Sequence, residues 1–222
     1  MHLRKITTAA VAAATALTLA ACGSDSGDEE GGAETTESAD IADAPGADQG
    51  TVLDQPFEKP DFVLTDTEGE PYDFAAETDG HATLLYFGYT NCPDICPLTM
   101  SNIANAAGTL TPEQREDLRV VFVTTDPERD TPESLGPWLD AQDPEFTGLT
   151  GDFETIQQAA RALGVAIEPS YEEDDGDIVS THGTQVLAFL PTDDKAHVVY
   201  TEGVTAETFE RDLPGLIAGE LP

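Results

Sequence analysis

The residues best suited to chemistry are two cysteines four positions apart, Cys92 and Cys96, in the segment Cys-Pro-Asp-Ile-Cys. They follow an apolar run typical of a buried strand and precede a helical pattern, which predicts Cys92 just before a helix and Cys96 in its first turn. Unpaired N–H groups at a helix start stabilise thiolates, so we expect both thiols to have a pKa below the usual ~8.5. Residues four apart share one helix face, so both sulfurs can point to the same spot.

A thiol pair of this kind supports two kinds of chemistry. Adjacent thiolates can exchange with a disulfide, and they can also bind a soft metal ion. The spacing of the pair alone favours neither, so both stay open at this point.

The third cysteine, Cys22, ends the apolar run that follows a basic N-terminal head. The run is shorter than the ~20 residues that a spanning helix needs, and small residues precede its end, as in a secretory signal. Leu-Ala-Ala-Cys-Gly resembles a bacterial lipobox. We therefore predict a lipoprotein signal peptide over residues 1–21 and lipidation of Cys22, with an uncleaved anchor helix as the alternative.

The next stretch, residues 22–54, is acidic and nearly free of large apolar side chains, which predicts a disordered tether behind the lipidated cysteine. The whole chain has 9 basic and 44 acidic residues and a net charge of −35. Such a charge repels nucleic acid and anionic lipid, so the lipid anchor would be the membrane contact. We predict a location on the extracytoplasmic face of the cell membrane.

Residues 55–222 have the pattern of one α/β domain. Strands that alternate with helices and end in a hairpin and a helix predict a mixed central sheet flanked by helices, with an N-terminal hairpin as an extension. The predicted elements are a hairpin around Glu68-Gly69, strands over 82–87, 120–123, 186–190 and 197–200, and helices after Pro97, Thr131 and Asp152 and over 205–218.

Four segments around these elements carry a family resemblance: residues 86–97 (YFGYTNCPDICP), 125–132 (TDPERDTP), 146–151 (FTGLTG) and 180–183 (STHG). Together and in this order they resemble the Sco/SenC family of copper-binding cytochrome oxidase assembly proteins, over about residues 55–219. The resemblance implies a thioredoxin-like fold.

The resemblance also implies a metal site, because the two motif cysteines and one distant histidine bind copper in that family. In this chain they are Cys92, Cys96 and His182. Two thiolates suit Cu(I), and an imidazole suits both Cu(I) and Cu(II). True thioredoxins place a proline in the loop before the corresponding strand, whereas this chain has His182-Gly183, which favours metal binding over general disulfide reduction. Relatives often have an acidic residue before this histidine, where this chain has Thr181.

Several other residues are candidates for lesser roles. Met100 could approach the metal, but its place on the apolar helix face favours a core position. Asp94 could steer the ion, and Asp126 could hydrogen-bond near the thiols or simply cap a turn. His81 and His197 are interpreted as surface residues.

We predict a copper metallochaperone, not an enzyme, that assembles the binuclear copper centre of a respiratory cytochrome c oxidase. Its expected partners are the copper-bearing oxidase subunit, the membrane through its lipid anchor, and other copper chaperones or thiol reductants. The alternative is a thiol–disulfide oxidoreductase that keeps the client's copper-ligand cysteines reduced. A peroxide-scavenging thiol enzyme is a weaker third hypothesis, because the chain lacks the pattern of that family around a nucleophile.

Overall fold

The computed structural model describes residues 49–172 and 178–222. The predicted signal peptide, Cys22 and most of the predicted tether lie outside the described residues, so they stay predictions. No helix within the described part of the chain is both long and apolar enough to cross a membrane.

The described elements are ten strands and six helices in a mainly alternating order. The strands are β1 (Thr51–Glu58), β2 (Val63–Asp66), β3 (Pro71–Asp73), β4 (Ala82–Gly88), β5 (Leu118–Thr124), β6 (Thr147–Thr150), β7 (Tyr171–Glu172), β8 (Ile178–Val179), β9 (Val186–Phe189) and β10 (Lys195–Tyr200). The helices are α1 (Phe74–Glu77), α2 (Ile95–Ala107), α3 (Pro112–Glu116), α4 (Pro132–Asp140), α5 (Phe153–Ala162) and α6 (Ala206–Ile217).

Eight strands form one sheet in the order β1-β10-β9-β4-β5-β6-β2-β3, and β7 and β8 pair separately as a small hairpin. Strand β5 runs parallel to β4 and β6, whereas the other described pairs are antiparallel. The predicted mixed sheet, the early hairpin β2–β3 and the terminal hairpin β9–β10 are confirmed.

Strand β4 lies at the centre of the domain, and all seven of its residues are buried. Its side chains alternate between two cores, with Leu84 and Tyr86 on one face of the sheet and Leu85 and Phe87 on the other. Helices α2, α4 and α6 cover the first face, and α1 and α5 cover the second. A strand that is buried on both faces must be apolar throughout, which is why its sequence shows a continuous apolar run.

The main correction concerns where the folded domain begins. Thr51 to Asp54 were assigned to the tether, but they form the first half of β1, where Thr51 pairs with Val199 and Val52 with Val198 of β10. An edge strand is held by backbone hydrogen bonds that polar residues make as well as apolar ones, so composition did not reveal it. The strand β6, the short helix α3 and the hairpin β7–β8 were not predicted either.

The register of the sheet determines where the loops meet. Gly88 at the end of β4 pairs with Thr124 at the end of the parallel β5, and Tyr86 pairs with Val186 at the start of the antiparallel β9. The chain therefore leaves β4 and β5 and enters β9 at one edge of the sheet. The loops that carry the cysteines and His182 are brought together there.

Candidate metal centre

Three potential ligands converge at this edge: the sulfurs of Cys92 and Cys96 and a ring nitrogen of His182, all within 4.8 Å of one another. It is the one such group among residues 49–172 and 178–222. Metal bonds to thiolate and imidazole are roughly 2.0–2.3 Å long, so a three-coordinate ion would hold these atoms about 4 Å apart. The observed spacing needs only a small adjustment to fit one ion.

Each ligand comes from a different local structure. Cys92 lies in the turn after β4, where its N–H donates to the carbonyl of Tyr89. Cys96 is the second residue of α2. The two sulfurs therefore meet because of the turn, and not because of a shared helix face as we had predicted, since Cys92 comes three residues before the helix begins.

Both thiols are free and buried, with Cys92 6% exposed and Cys96 fully buried. The N–H of Cys96 donates to the Cys92 sulfur at 3.4 Å, and the buried Tyr86 hydroxyl donates to the Cys96 sulfur at 3.5 Å. Burial raises the pKa of Cys96 to about 12, although the hydrogen bond from Tyr86 opposes this. The prediction of a lowered pKa is therefore wrong for Cys96, because desolvation of the buried thiol is the largest influence on its pKa.

His182 lies in the loop between β8 and β9, and its ring is only partly buried. Its Nδ1 lies 2.8 Å from the carbonyl oxygen of Gly183, a contact in which Nδ1–H donates and Nε2 keeps its lone pair. The Tyr89 ring packs beside the imidazole, with 5.6 Å between ring centroids. The N–H of Gly183 donates to the carbonyl of Phe87, which ties this loop to β4. As predicted, the loop passes beside the two thiols.

Two glycines allow this close packing, a role that residue type alone did not reveal. A Cβ atom on Gly88 would lie 2.9 Å from the Cys96 sulfur, and one on Gly183 would lie 2.8 Å from Cγ1 of Val165. Any larger residue at either position would displace a ligand or its loop.

The other candidates lie as follows. Met100 is fully buried in the core that also contains the two cysteines, as predicted for a core residue. Asp94 is exposed and makes no side-chain capping bond at the start of α2. Asp126 is buried in a turn, where its carboxylate contacts Ser180 and Arg129.

Within the described residues, two further histidines lie in partly buried positions outside the cluster. His81 is half-buried against Arg119, and His197 pairs with Asp193. Both are partly exposed, and both make side-chain contacts that their positions in the sequence do not reveal.

Comparisons with known proteins place this geometry in context. A family model described as SCO1/SenC matches residues 51–217. A Stutzerimonas stutzeri protein, whose name assigns it copper binding provisionally, is 36% identical over 176 residues, which are 78% of this chain and 84% of that protein. The chain spans only about half the length of the Rickettsia SCO2-like proteins and of the mitochondrial SCO1 and SCO2 homologues that it matches.

Solved structures agree with the predicted thioredoxin-like fold. The apo Sco1 protein from Thermus thermophilus has a TM-score of 0.65 at 32% identity, covering 76% of this chain and 95% of that one. Bradyrhizobium japonicum ScoI, solved with copper bound, has a TM-score of 0.61 at 27% identity, covering 71% of this chain and 98% of that one. The fold prediction is confirmed.

Proposed function

The chain belongs to the SCO1/SenC family, and from this premise we propose that it is a copper carrier for the binuclear copper centre of a respiratory cytochrome c oxidase. The observation that carries the proposal is the convergence of Cys92, Cys96 and His182 within 4.8 Å. The copper-binding name of one relative and the copper-bound structure of another support the choice of metal.

The donor set fits copper in both of its common oxidation states. Two thiolates are soft ligands that stabilise Cu(I), and the imidazole Nε2 of His182 serves Cu(I) and Cu(II) alike. The thiols are buried whereas His182 is partly exposed, so a partner would reach the ion from the histidine side. A three-ligand site also leaves coordination space through which a client can take the metal.

The proposal includes a place in the cell. Lipidation of Cys22 would hold the domain on the outer face of the cell membrane, with residues 23–50 as a spacer, close to a membrane-bound oxidase. The sequence of residues 1–22 motivates this part of the proposal. Metabolic labelling with a fatty acid, compared between wild type and Cys22→Ala, tests it, and equal labelling of the two would contradict it.

The metal site is tested by anaerobic titration with Cu(I) in competition with a chromophoric chelator. We expect one tight site per chain and a loss of affinity of more than 100-fold in His182→Ala, because even the loss of a residue that orients a ligand costs about 10–100-fold. His197→Ala is the matched control, since that histidine pairs with Asp193 instead. Binding in a Cys92→Ser/Cys96→Ser double variant that equals the wild type would overturn the proposal.

Delivery to the oxidase is tested in a deletion strain. We expect low cytochrome c oxidase activity that is restored by the wild-type gene and by added copper, but not by the His182→Ala gene. Normal oxidase activity in copper-limited deletion cells would contradict the assigned client.

A second function, thiol–disulfide exchange on a client's copper-ligand cysteines, is favoured by the closeness of the two free sulfurs. It requires Cys92 and Cys96 but not His182. A His182→Ala variant that keeps reductase activity and loses copper binding separates the two functions. The high pKa of Cys96 counts against rapid exchange through that sulfur, because the thiolate is the attacking species.

A further inference from the structure

The loop that carries His182 receives little support from regular structure. Between the end of α5 at Ala162 and the start of β9 at Val186, the described residues form only the small hairpin β7–β8. Cys96, in contrast, is fixed by its place in α2. The distance between the thiols and the imidazole therefore depends on contacts made by the loops themselves, which include the backbone hydrogen bond from Gly183 to Phe87 and several side-chain contacts.

We propose that the turn between β5 and α4 positions the metal ligands, with Asp130 fixing the loop that carries Cys92 and Asp126 fixing the loop that carries His182. This inference rests on the proposed function, because it concerns the same ligand set. Neither carboxylate is proposed to touch the metal, so both are positioning residues.

Asp130 is fully buried and binds the Cys92 loop at two points. Its Oδ2 accepts the backbone N–H of Thr90 at 2.9 Å, and its Oδ1 accepts the Thr90 hydroxyl. Oδ2 also accepts the hydroxyl of Thr124 at 2.7 Å, which anchors the carboxylate to the end of β5. Thr90 comes two residues before Cys92, so this buried carboxylate holds the start of the ligand turn.

Asp126 makes the equivalent contact to the other loop. It is 1% exposed, and its Oδ2 accepts the hydroxyl of Ser180 at 3.0 Å. Arg129 forms an ion pair with the same carboxylate and donates from Nη2 to the Ser180 hydroxyl oxygen at 2.9 Å. Ser180 is itself 5% exposed and comes two residues before His182. The Ser180 hydroxyl also lies 2.8 Å from that of Ser170, so a network of four side chains anchors the histidine loop.

The two carboxylates belong to one hydrogen-bonded turn. The carbonyl of Asp126 accepts the N–H of Arg129 at 3.1 Å and that of Asp130 at 2.9 Å. The Asp126 N–H donates to the Thr124 hydroxyl oxygen, and the N–H of Thr125 donates to Gly88 at the end of β4. A turn held this way to the two central strands can maintain a constant spacing between the loops on either side.

The consequence is that loss of Asp126 should move His182 and leave the thiols in place, whereas loss of Asp130 should disturb Cys92. In Asp126→Asn, which keeps the shape but removes the charge, we expect the affinity for copper to fall about 10–100-fold, as for other residues that orient a ligand. Asp143→Asn is the matched control, because Asp143 is a largely buried carboxylate paired with an arginine, Arg115, elsewhere in the domain. We expect Asp143→Asn to bind copper with the same affinity as the wild type.

A double-mutant cycle in the full chain tests whether Asp126 acts through the histidine. The Cu(I) affinity is measured for Asp126→Asn in the wild type and in His182→Ala, and we expect the loss only in the first background. Asp130→Asn should lower the affinity in both backgrounds. With Cu(II), electron paramagnetic resonance should show weakened nitrogen coupling in Asp126→Asn, a change that a general loss of stability would not produce.

Equal losses with and without His182, or an unchanged affinity, would overturn the inference. If Asp126→Asn does not fold, Ser180→Ala, which removes one hydroxyl, decides the same question. These outcomes are distinct from failure of the proposed function, in which the wild type itself would bind copper without dependence on His182.

Discussion

Substitution of Gly88 by alanine tests the packing behind the candidate metal centre. The added Cβ would lie 2.9 Å from the Cys96 sulfur, 2.9 Å from Cε1 of Tyr86 and 3.0 Å from Cε2 of Phe122. All three neighbours are buried, with exposures of 0%, 1% and 0%. None of them can move toward solvent to relieve the contact.

The expected magnitude follows from this lack of space. Overpacking of a filled core costs about 1–3 kcal/mol, and three simultaneous close contacts with buried groups place Gly88→Ala in the upper part of that range. The groups that must move include the proposed metal ligand Cys96 and the tyrosine that donates to it, so we also expect the Cu(I) affinity to fall about 10–100-fold.

Urea unfolding of the metal-free protein measures the stability, and chelator competition measures the affinity. The matched control is Gly215→Ala in α6, where the nearest atom to a new Cβ is 3.9 Å away. There alanine should raise the free energy of unfolding by roughly 0.5–1 kcal/mol, because it reduces the entropy of the unfolded chain. If Gly88→Ala is as stable as the wild type and binds copper equally well, the reasoning about close packing is refuted.

Three further predictions follow from single contacts. Cys96 has a pKa of about 12 when folded, above that of an unfolded thiol, so the unfolded state loses this proton first. Between pH 9 and 12 the free energy of unfolding of the reduced, metal-free wild type should therefore fall, relative to that of Cys96→Ala, by up to about 1.4 kcal/mol per pH unit. Urea titration at each pH measures this fall. Gly183→Ala should weaken Cu(I) binding about tenfold or more, as measured by chelator competition. Adding Val165→Ala to the same chain should restore part of the loss, because it removes the methyl group that would lie 2.8 Å from the new Cβ. Tyr200→Phe should cost about 1–3 kcal/mol in urea unfolding, because it removes the hydroxyl that donates to the buried carboxylate of Asp212.

Each of the three has its own control or contrary outcome. If the free energy of unfolding falls equally with pH above pH 9 in wild type and in Cys96→Ala, the thiol is not desolvated. If Val165→Ala restores no affinity, the Cβ added by Gly183→Ala must clash with a group other than Val165. Tyr171→Phe, on a tyrosine that is 53% exposed, should change the stability little, and a loss equal to that of Tyr200→Phe would contradict the role of the buried hydrogen bond.

Local patterns in the sequence were sufficient for the elements that depend on short-range rules. The uniformly apolar run of β4 and the cap at Asp152, whose side chain accepts the N–H of Thr155, were both predictable because a buried strand and a helix start leave signals within a few residues. Strand β1 was missed because its pairing with β10 depends on residues almost 150 positions away.

Asp130 shows the same limit at the candidate site. In the sequence it belongs to the segment 125–132, but nothing there distinguishes its role from those of the other acidic residues, 44 in the whole chain. Its burial and its hydrogen bonds to Thr90 depend on how β5 packs beside β4, and no local sequence pattern indicates the burial or the bonds. The anchoring role of Asp126 on the histidine loop could not be found from the sequence for the same reason.

The sequence by itself predicted two thiols near the start of a helix after a buried strand, and the family resemblance added a histidine before a later strand as the third donor. Only the tertiary structure decided that these three groups lie within 4.8 Å of one another and that burial raises the pKa of the Cys96 thiol. The physical reason is that residue type and spacing set local geometry, whereas distance across the fold and desolvation depend on which strands pair and how tightly the helices cover them. A ligand set can therefore be proposed from the sequence, but its geometry and electrostatics arise from packing at one edge of the sheet.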